Sequence, residues 1–311
     1  MEGHILQSQL WAKFKEEFGT PVVNAGNVWY TKHAIPFSGK YYGYAPRVDP
    51  LVVDFVPLVK SLEDNNCVAL HFDVPNVVKG TKEESLATDV LKRHCVVSPR
   101  DEFAKGNFLV DLSQSEDELN SKLHTKQRYN INYARKKGVL VTEDHSDKAF
   151  DKFYELYSAT GKRQKYYFRS KKYIGKIREL FGVDDQVRIL SAEIDGKILA
   201  SWFLLAYGDT LYYPYGGSSE DFKNLQASCL IGWEAILYAK RHHFKTFDMW
   251  GAAVDLDDVT DQYYGFSNFK AKFGGKHVIY IDSYDLVINA GLYNLFNTAN
   301  KLRWKILKAL R

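Results

Sequence analysis

Residues 187–219, VRILSAEIDGKILASWFLLAYGDTLYYPYGGSS, decide the fold that the sequence predicts. The stretch contains three apolar runs, and two dipeptides, Asp195-Gly196 and Gly208-Asp209, separate them. Both dipeptides are strong signals for short hairpin turns. We therefore predict a meander of three antiparallel strands at the centre of this part of the chain.

The segments on either side of the meander extend this pattern into a larger α/β unit. Before it come a strand, a helix with Gly138 as its C-cap, a second strand and two helices: NFLVDLS (107–113), EDELNSKLHTKQRYNINYARKKG (116–138), VLVTED (139–144), KAFDKFYELYSATGKR (148–163) and SKKYIGKIRELFG (170–182). After it come a helix and a strand: NLQASCLIGWEAILYAKRHH (224–243) and TFDMWGA (246–252). This order over 107–276 resembles the GNAT N-acyltransferase fold.

The N-terminal part of the chain predicts a second, shorter α/β unit. Its elements are an opening helix with Leu6, Leu10, Phe14 and Phe18 on one face, a hairpin over NVWYTKHAIPF (27–37) and KYYGYAPRV (40–48), a helix over LVVDFVPLVKSLEDNN (51–66) and a strand over CVALHFDVP (67–75). The residues that follow, to about 105, are polar. HVIYIDSYDLVIN (277–289) is a late strand, and a basic helix follows it. We predict two GNAT-like domains, 1–106 with 277–311 and 107–276, with mixed, largely antiparallel sheets.

Composition excludes several classes of protein. The 311 residues are 45% hydrophobic and 26% charged, which is ordinary for a globular protein, and the net charge is only +4. Nucleic-acid binding would therefore need a local basic patch. Cys67, Cys95 and Cys229 lie far apart without metal-ligand spacing, which predicts a reducing compartment and no metal site. No apolar run reaches the roughly 20 residues of a membrane span, so we expect a cytoplasmic protein.

The acyl donor is predicted to differ from that of simple GNAT enzymes. Those enzymes hold the pyrophosphate of acetyl-CoA on a Q/R-x-x-G-x-G/A loop at a helix start. Here Gly216 and Gly217 come too early in the chain, and residues 224–226 occupy the place of the loop. A GNAT-like chain without this loop needs another acyl donor.

Four stretches, in order along nearly the whole chain, resemble the FemABX peptidyltransferases: QSQLWAKFKEEFG (7–19), RYNINYARKKGV (128–139), YYPYGGSSEDFKNLQASCLIGWEAILYAKRHHFKTFDMWGA (212–252) and YYGFSNFKAKFGGKHVIYIDSYDLV (263–287). The resemblance implies transfer of an aminoacyl group from tRNA to a stem-peptide amine of a UDP-linked or lipid-linked muropeptide. The sequence has no room for a long helical arm between strands, so it is similar to the compact, armless members of the family.

The resemblance also assigns catalytic roles to three residues. Lys270 matches the family lysine proposed to stabilise the tetrahedral intermediate, and a cation beside that oxygen would lower the barrier electrostatically. The alternative is a solvated lysine on a strand edge. Phe269 would shape the same wall, with core packing as the alternative. Asp73 matches an aspartate suggested as general base, which would assist deprotonation of the acceptor amine or only hold it, and capping of the turn before Pro75 is the alternative.

Four further residues match positions that bind the muropeptide, and strand alternation adds a fifth. Lys13 and Arg169 match residues that hold the nucleotide diphosphate, a role for which both cations are suited. Tyr173 and Tyr215 match tyrosines of the muropeptide cleft. Because alternate strand residues face one side, we predict that Tyr213 shares the face of Tyr215.

Two basic clusters are candidates for contact with tRNA phosphates. One lies on the helix over 116–138: Lys122, Lys126, Arg128, Arg135, Lys136 and Lys137. The other lies on the C-terminal helix: Lys301, Arg303, Lys305, Lys308 and Arg311. The same tail has an apolar face of Leu292, Leu295, Phe296, Ala299, Leu302 and Ile306, which would bind either the body of the protein or a membrane surface.

The sequence therefore predicts an aminoacyltransferase that acts without a metal or a cofactor, as a monomer, in the cytoplasm or at the inner face of the membrane. Aminoacyl-tRNA is the expected donor and a muropeptide the expected acceptor. Two alternatives stay open. One is an N-acyltransferase that uses acyl-CoA or acyl carrier protein, and the other is a non-catalytic protein that binds tRNA or a cell-wall precursor.

Overall fold

The computed structural model describes residues 3–309, with side chains through residue 301. The chain divides into two compact units, Met1–Lys105 with Tyr280–Arg311 as the first and Gly106–Ile279 as the second. Each unit is built around a β-sheet of its own.

The first unit contains a six-stranded sheet. Its strands are β1 (Val22–Ala25), β2 (Val28–Ile35), β3 (Lys40–Pro46), β4 (Cys67–Asp73), β5 (Val96–Val97) and β13 (Tyr284–Val287), in the spatial order β1-β2-β3-β4-β13-β5. β3 and β4 are parallel and the other pairs are antiparallel. The predicted hairpin is β2–β3, and the C-terminal segment returns to this sheet as β13.

The helices of the first unit differ from the prediction at one point. They are α1 (Gln9–Glu17), α2 (Phe55–Asp64), α3 (Glu83–His94) and α10 (Ala290–Ala309). α3 lies in the stretch that we expected to be merely polar. It buries only Ala87 and Leu91, one turn apart, so its apolar pattern is too narrow to stand out in the sequence.

The second unit contains a seven-stranded sheet. Its strands are β6 (Gly106–Asp111), β7 (Leu140–Glu143), β8 (Val187–Ile194), β9 (Lys197–Tyr207), β10 (Thr210–Ser218), β11 (Thr246–Ala252) and β12 (Lys276–Ile279), in the order β12-β6-β11-β10-β9-β8-β7. The predicted meander is β8-β9-β10. β10 and β11 are the parallel pair, and every other pair is antiparallel.

The helices of the second unit correct one boundary. They are α4 (Glu116–Lys122), α5 (Thr125–Lys136), α6 (Asp147–Gln164), α7 (Lys171–Val183), α8 (Ala227–Arg241) and α9 (Tyr264–Ala271). The single helix predicted over 116–138 is two helices, α4 and α5. Leu123 leaves the helical conformation and the side chain of His124 caps α5 by accepting a hydrogen bond from the Lys126 N–H. Neither glycine nor proline marks this break.

The late strand predicted over 277–289 is also two strands, which belong to different sheets. β12 pairs with β6 in the second unit, and β13 pairs with β4 in the first. Residues 277–279 therefore belong to the second unit, because their backbone hydrogen bonds go to β6.

The glycine pair that comes too early for a phosphate loop has a packing role. A Cβ at Gly217 would lie 2.3 Å from the backbone of Leu156 and Tyr157 on α6. Only glycine therefore allows α6 to approach β10 so closely. In fold class the structure confirms the prediction: two α/β units with mixed, largely antiparallel sheets, a meander, a helical crossover and a returning parallel strand.

Candidate functional site

A gap between two parallel strands defines the candidate site. β10 and β11 pair only from Thr210 opposite Thr246 to Tyr212 opposite Asp248, although both strands continue beyond this point. Each strand contains a bulge just after the last pair, which bends it away from regular pairing. Ligands of open α/β sheets bind at the carboxyl ends of parallel strands, which is where this gap opens.

Lys270 places its ammonium group against β11 beside the gap. It lies on α9, its side chain is only 7% exposed, and Nζ donates a 2.7 Å hydrogen bond to the carbonyl of Gly251. The rings of Phe266 and Tyr213 lie 5.3 Å and 5.8 Å from Nζ, measured to their centroids. The predicted alternative, a solvated lysine on a strand edge, is therefore wrong.

Burial gives Lys270 unusual acid–base behaviour. Desolvation of the ammonium lowers its pKa from 10.5 to about 7, and the negative charge of Asp248 opposes this shift without cancelling it. Strongly perturbed groups in concave, functional regions are typical of active sites. A cation in such a dry setting interacts strongly with any negative charge that develops beside it.

The β11 bulge positions the acceptor of the Lys270 hydrogen bond. Trp250 has a left-handed backbone (φ 65°), which a bulky residue adopts only when its surroundings enforce it. Its N–H donates to Asp248 Oδ1 at 2.6 Å, and Asn107 Nδ2 donates to the same oxygen at 2.8 Å. These bonds fix the bulge, and the Gly251 carbonyl that follows faces Lys270.

The β10 bulge separates two tyrosines that we predicted to share a face. One extra residue lies between Tyr212 and Tyr215 relative to β9, so the alternation of side chains is broken. Tyr213 stacks on Trp202 with ring centroids 3.6 Å apart and packs on the core beneath α8. Tyr215 instead contacts Phe203 and Tyr157, so the prediction of a shared face is wrong.

Tyr215 lies with Arg169 and Tyr173 in a second group of side chains. The Arg169 guanidinium lies 4.8 Å from the Tyr173 ring centroid, and its positive charge acts on the hydroxyls of Tyr173 and Tyr215, whose pKa values are raised by burial. The Arg169 N–H donates to the Tyr157 hydroxyl at 3.1 Å, which holds the backbone of this exposed segment. The structure thus brings three of the predicted muropeptide-binding residues together, on a different face from Tyr213.

A cavity of about 350 Å³ opens at the end of β10 and the start of α8. Half-buried Phe269 forms part of its wall and packs edge-on against Phe273, with centroids 5.1 Å apart. Phe269 and Lys270 are neighbours on α9. The cavity wall and the buried ammonium are therefore attached to the same short helix.

In the first unit, Asp73 is fully buried and hydrogen-bonded. Its Oδ2 accepts from the Tyr44 hydroxyl at 2.7 Å, and its Oδ1 accepts from the Glu102 N–H at 3.0 Å and the Ser283 hydroxyl at 3.3 Å. His71 Nε2 lies 3.4 Å from Oδ1. Burial would raise the pKa of Asp73, but His71 and the hydrogen bonds together hold it below the usual value.

His71 links Asp73 to a second buried carboxylate. Its Nδ1 lies 2.6 Å from Asp285 Oδ1, and Asp285 also accepts from the hydroxyls of Ser98 (2.9 Å) and Tyr293 (2.7 Å). Burial alone would lower the pKa of His71, but the hydrogen bond to Asp285 and the two negative charges raise it to about 9. The imidazole is therefore a cation between two anions at neutral pH, and both carboxylates are already engaged by hydrogen bonds.

The remaining substrate-binding candidate of the first unit, Lys13, lies on α1. Its side chain is 59% exposed, and Nζ lies 3.9 Å from Glu17 one turn later. This is a weak surface pair that a stronger anionic ligand could displace.

Some of the predicted cations on the basic helix α5 are exposed to solvent, and others contact protein groups. Lys126, Lys136 and Lys137 are exposed. Arg135 forms an ion pair with Glu234 at 2.6 Å, and Arg128 donates to the Leu123 carbonyl at 3.1 Å. Lys122 of α4 donates to Gln114.

On α10, Leu292 and Phe296 pack on the first sheet, and Phe296 stacks on Tyr42 with centroids 4.8 Å apart. Leu295, Ala299 and Lys301 are exposed. The predicted side-chain roles of Leu302, Arg303, Lys305, Ile306, Lys308 and Arg311 lie outside the described residues. Within residues 3–309, none of the helices combines the length and the apolar character that a bilayer span requires.

Sequence reasoning missed the residues that support the site. Asp248 is the one carboxylate in the otherwise apolar run TFDMWGA, and this isolation was a usable signal. Trp250 and the two bulges left no such signal. The pairing of His71 with Asp285 joins residues 214 positions apart, which no local pattern reveals.

The strand order, the gap between β10 and β11 and the buried lysine beside it define a protein of the N-acyltransferase fold class. The crystal structure of FemX superposes on this chain with a TM-score of 0.82 at 18% identity, and the match covers 94% of both chains. The structure of L-PGS from Bacillus licheniformis, at 11% identity, gives a TM-score of 0.59 over 95% of this chain and 97% of that one. These likenesses concern the fold.

The FemAB family model matches residues 97–198 and 191–301. This chain belongs to the FemAB family. A lipid II:glycine glycyltransferase of Staphylococcus haemolyticus is 29% identical over 41% of this chain and 31% of its own length. The UDP-N-acetylmuramoylpentapeptide-lysine N(6)-alanyltransferase of Weissella viridescens is 25% identical over 64% of this chain and 57% of its own. The match thus spans 31% of the length of the first relative and 57% of the length of the second.

Proposed function

We propose that this protein transfers an aminoacyl group from aminoacyl-tRNA to a stem-peptide amine of a peptidoglycan precursor, forming an amide. Membership of the FemAB family supports this, as do the names of the relatives, which are aminoacyltransferases acting on lipid II or on a UDP-linked muropeptide. We expect the protein to act as a monomer in the cytoplasm, with the basic C-terminal helix as a possible route to the inner face of the membrane.

The buried ammonium of Lys270 is the observation that supports this chemistry most directly. In the proposed reaction the acceptor amine attacks the ester carbonyl carbon of the aminoacyl-tRNA. A C–N bond forms, the carbonyl oxygen becomes an oxyanion, and the C–O bond to the ribose then breaks. An ammonium carries three N–H donors, and the bond to Gly251 uses one of them. Another can donate to the oxyanion in a site where solvent does not weaken the interaction.

The reaction asks little else of the protein, because an aminoacyl ester is already activated. One proton leaves the attacking amine and one reaches the ribose oxygen, so the two transfers balance. We infer that the substrates relay this proton and that Asp73 is a positioning residue. Its buried carboxylate accepts hydrogen bonds from Tyr44 and Ser283 and lies beside His71, so it fixes the positions of these side chains.

We assign the binding roles to the group of side chains around Arg169 and to the exposed cations. Arg169, Tyr173 and Tyr215 would bind the muropeptide, and a planar guanidinium beside aromatic rings suits a diphosphate and its sugar. Lys13, in the first unit, would supply a point charge for a phosphate group. Lys126, Lys136 and Lys137 would contact tRNA phosphates. Arg128 and Arg135 would either exchange their present partners for phosphates or keep those partners and stabilise α5.

The experiment is a transfer assay with purified protein and a pool of radiolabelled aminoacyl-tRNAs. UDP-muropentapeptide and lipid-linked precursor are offered separately, and products are identified by mass spectrometry with and without ribonuclease. A ribonuclease-sensitive gain of one amino-acid residue on either acceptor is the expected result. Transfer from acyl-CoA instead of tRNA, or binding of both ligands with no transfer, would overturn the proposal.

A further inference from the structure

A phenylalanine at the tip of the β2–β3 hairpin places its ring in solvent. The two strands pair as far as Ile35 opposite Lys40, so residues 36–39 form the tip. Phe37 is fully exposed, and its backbone is left-handed (φ 61°), which is uncommon for a bulky residue. The Ser38 hydroxyl donates to the Ile35 carbonyl at 2.8 Å and accepts from the Lys40 N–H at 3.1 Å. A hydrogen-bonded turn therefore holds the exposed ring at the tip.

The hairpin tip and the start of α10 lie at the same end of the first sheet. β4 runs parallel to β3, and β13 runs antiparallel to β4, so β13 ends at the end of the sheet where β3 begins. α10 follows β13 directly. Ile35 of the hairpin packs against the same buried cluster as Leu292 and Phe296 of α10, and Lys40 and Leu292 line one small cavity. The tip and the helix therefore belong to one surface of the first unit.

Part of the apolar side of α10 is not covered by the sheet. Leu292 and Phe296 pack on the protein, but Leu295 is 65% exposed, and Ala299 is exposed as well. Leu295 and Ala299 are four residues apart, so they are neighbours on one side of the helix. Together with Phe37, they give this surface of the first unit an exposed apolar character that a partner could cover.

The segments that form this surface are positively charged. Residues 286–311 contain no acidic residue and five cations: Lys301, Arg303, Lys305, Lys308 and Arg311. Residues 18–48, which include the hairpin, also contain no acidic residue, and they include Lys32 and Lys40. Glu63 lines the small cavity beside Lys40, so the positive charge comes mainly from the tail. Anionic lipid headgroups attract basic segments of this kind, and each cation adds to the attraction.

We propose that the β2–β3 tip and α10 together dock the protein on an anionic lipid bilayer, with Phe37 and Leu295 entering the interface and the basic tail lying against the headgroups. This partner rests on the proposed function, since a lipid-linked acceptor lies in a membrane. Exposed apolar side chains beside cations are typical of segments that lie at a bilayer surface, and two such elements bind more firmly than one. RNA phosphates would pair with the same cations but would leave Leu295 exposed, which favours the bilayer.

Vesicle flotation measures this docking without catalysis. The whole chain should bind mixed vesicles of phosphatidylcholine and phosphatidylglycerol, less at high salt, and should bind phosphatidylcholine alone much more weakly. Phe37→Ser should weaken binding to mixed vesicles about 10-fold and Leu295→Ser about 3- to 10-fold, because each removes apolar area that enters the interface. Val183→Ser is the matched control, because Val183 is 83% exposed but lies in the second unit, and it should bind as the wild type does.

Quenching by brominated lipids tests whether the tip enters the bilayer. In mixed vesicles, the tryptophan emission of Phe37→Trp should be quenched more than that of the wild type, and that of Val183→Trp should not. Equal quenching in the three proteins, or a wild type that does not bind vesicles, would overturn the proposal. Phe37→Ser and Leu295→Ser proteins that lose tRNA in filter binding but keep vesicle binding would also overturn it and would assign the surface to RNA.

A transfer assay separates the docking surface from the proposed function. With lipid-linked precursor in mixed vesicles, Phe37→Ser should raise KM for this acceptor about 10-fold and leave KM for aminoacyl-tRNA unchanged. An active Phe37→Ser protein with unchanged KM for the acceptor would refute the docking surface and leave the function standing. A wild type that binds vesicles but transfers no amino acid would refute the function alone.

Discussion

Two buried charges, one in each unit, have opposite surroundings. Asp73 in the first unit is 0% exposed and accepts hydrogen bonds from a tyrosine, a serine and a backbone N–H, with a protonated histidine beside it. Lys270 in the second unit is 7% exposed and donates one hydrogen bond to a backbone carbonyl. The surroundings hold the pKa of both groups low, although for Asp73 this favours the charged form and for Lys270 the neutral form.

The difference shows which of the two is available for chemistry. A buried charge whose hydrogen bonds and ion pairs are all satisfied, such as Asp73, holds its partner side chains in one arrangement. It cannot take part in a reaction without breaking those contacts. A buried charge with few hydrogen-bond or ion-pair partners lowers the stability of the fold. Such groups are found mainly at functional sites, where the perturbed pKa serves the chemistry. We therefore propose that Lys270 is the catalytic group and that Asp73 has a structural role.

Removal of the Lys270 charge should produce the largest effect on activity. We expect Lys270→Met to lower the rate of aminoacyl transfer by about 10²- to 10³-fold, the usual loss when one oxyanion donor is removed. Its unfolding free energy should not fall much, because a desolvated ammonium is replaced by an apolar chain of similar length. Single-turnover assays measure the rate. Lys276→Met, an exposed lysine on β12, is the control and should transfer at the wild-type rate.

Removal of Asp73 should mainly affect stability. Asp73→Ala leaves the His71 cation and the donors around it without a partner, and we expect the free energy of unfolding to fall by about 3–5 kcal/mol. Urea denaturation measures this. Asp282→Ala, which removes only partly exposed ion pairs with Lys79 and Lys105, should cost less than about 1 kcal/mol. An Asp73→Ala protein that is as stable as the wild type but inactive would reverse the assignment.

The comparison of the two units also shows which features of the structure can be predicted from the sequence. Hairpin dipeptides and apolar periodicity correctly predicted the β8-β9-β10 meander, α8 and β11, because these elements depend on local signals. α3 was missed because only Ala87 and Leu91 of its residues are buried. The bulge that turns Tyr213 away from Tyr215, and the network that joins Asp73 to Ser283, depend on contacts between distant strands. Burial of Lys270 likewise follows from tertiary packing, not from its neighbours in the chain.

The pH dependence of stability sharpens the description of the Asp73 network. The pKa of His71 is raised to about 9 in the fold, so its stabilising charge is fully present below about pH 6.5 and is lost as pH rises through 9. Asp73 and Asp285 have lowered pKa values, so their contribution is present above about pH 4 and is lost at more acidic pH. Between pH 6.5 and 9.5, the wild type should lose on the order of 3 kcal/mol relative to His71→Asn. Parallel pH profiles of the two proteins would contradict this.

The exposed cations of α5 should give the smallest effects. Lys126→Ala and Lys136→Ala should each weaken tRNA binding modestly and reduce the log–log salt dependence of affinity by about one, as expected for loss of one phosphate contact. Arg135→Ala should change the salt dependence less, because Arg135 is already paired with Glu234. Filter binding at several salt concentrations distinguishes these outcomes, and equal slopes in all variants would remove α5 from the RNA interface.

The most direct test of the central claim is the pH dependence of kcat/KM for aminoacyl transfer in the wild type and in Lys270→Arg. Ionisation of the acceptor amine affects both proteins alike, so the ratio of their rates isolates the residue at position 270. Because the pKa of Lys270 is about 7 and arginine stays protonated, the wild-type/variant ratio should be constant below pH 7 and fall about tenfold per pH unit above it. A ratio that stays constant to pH 9 would contradict the claim that a Lys270 ammonium with a pKa of about 7 stabilises the transition state.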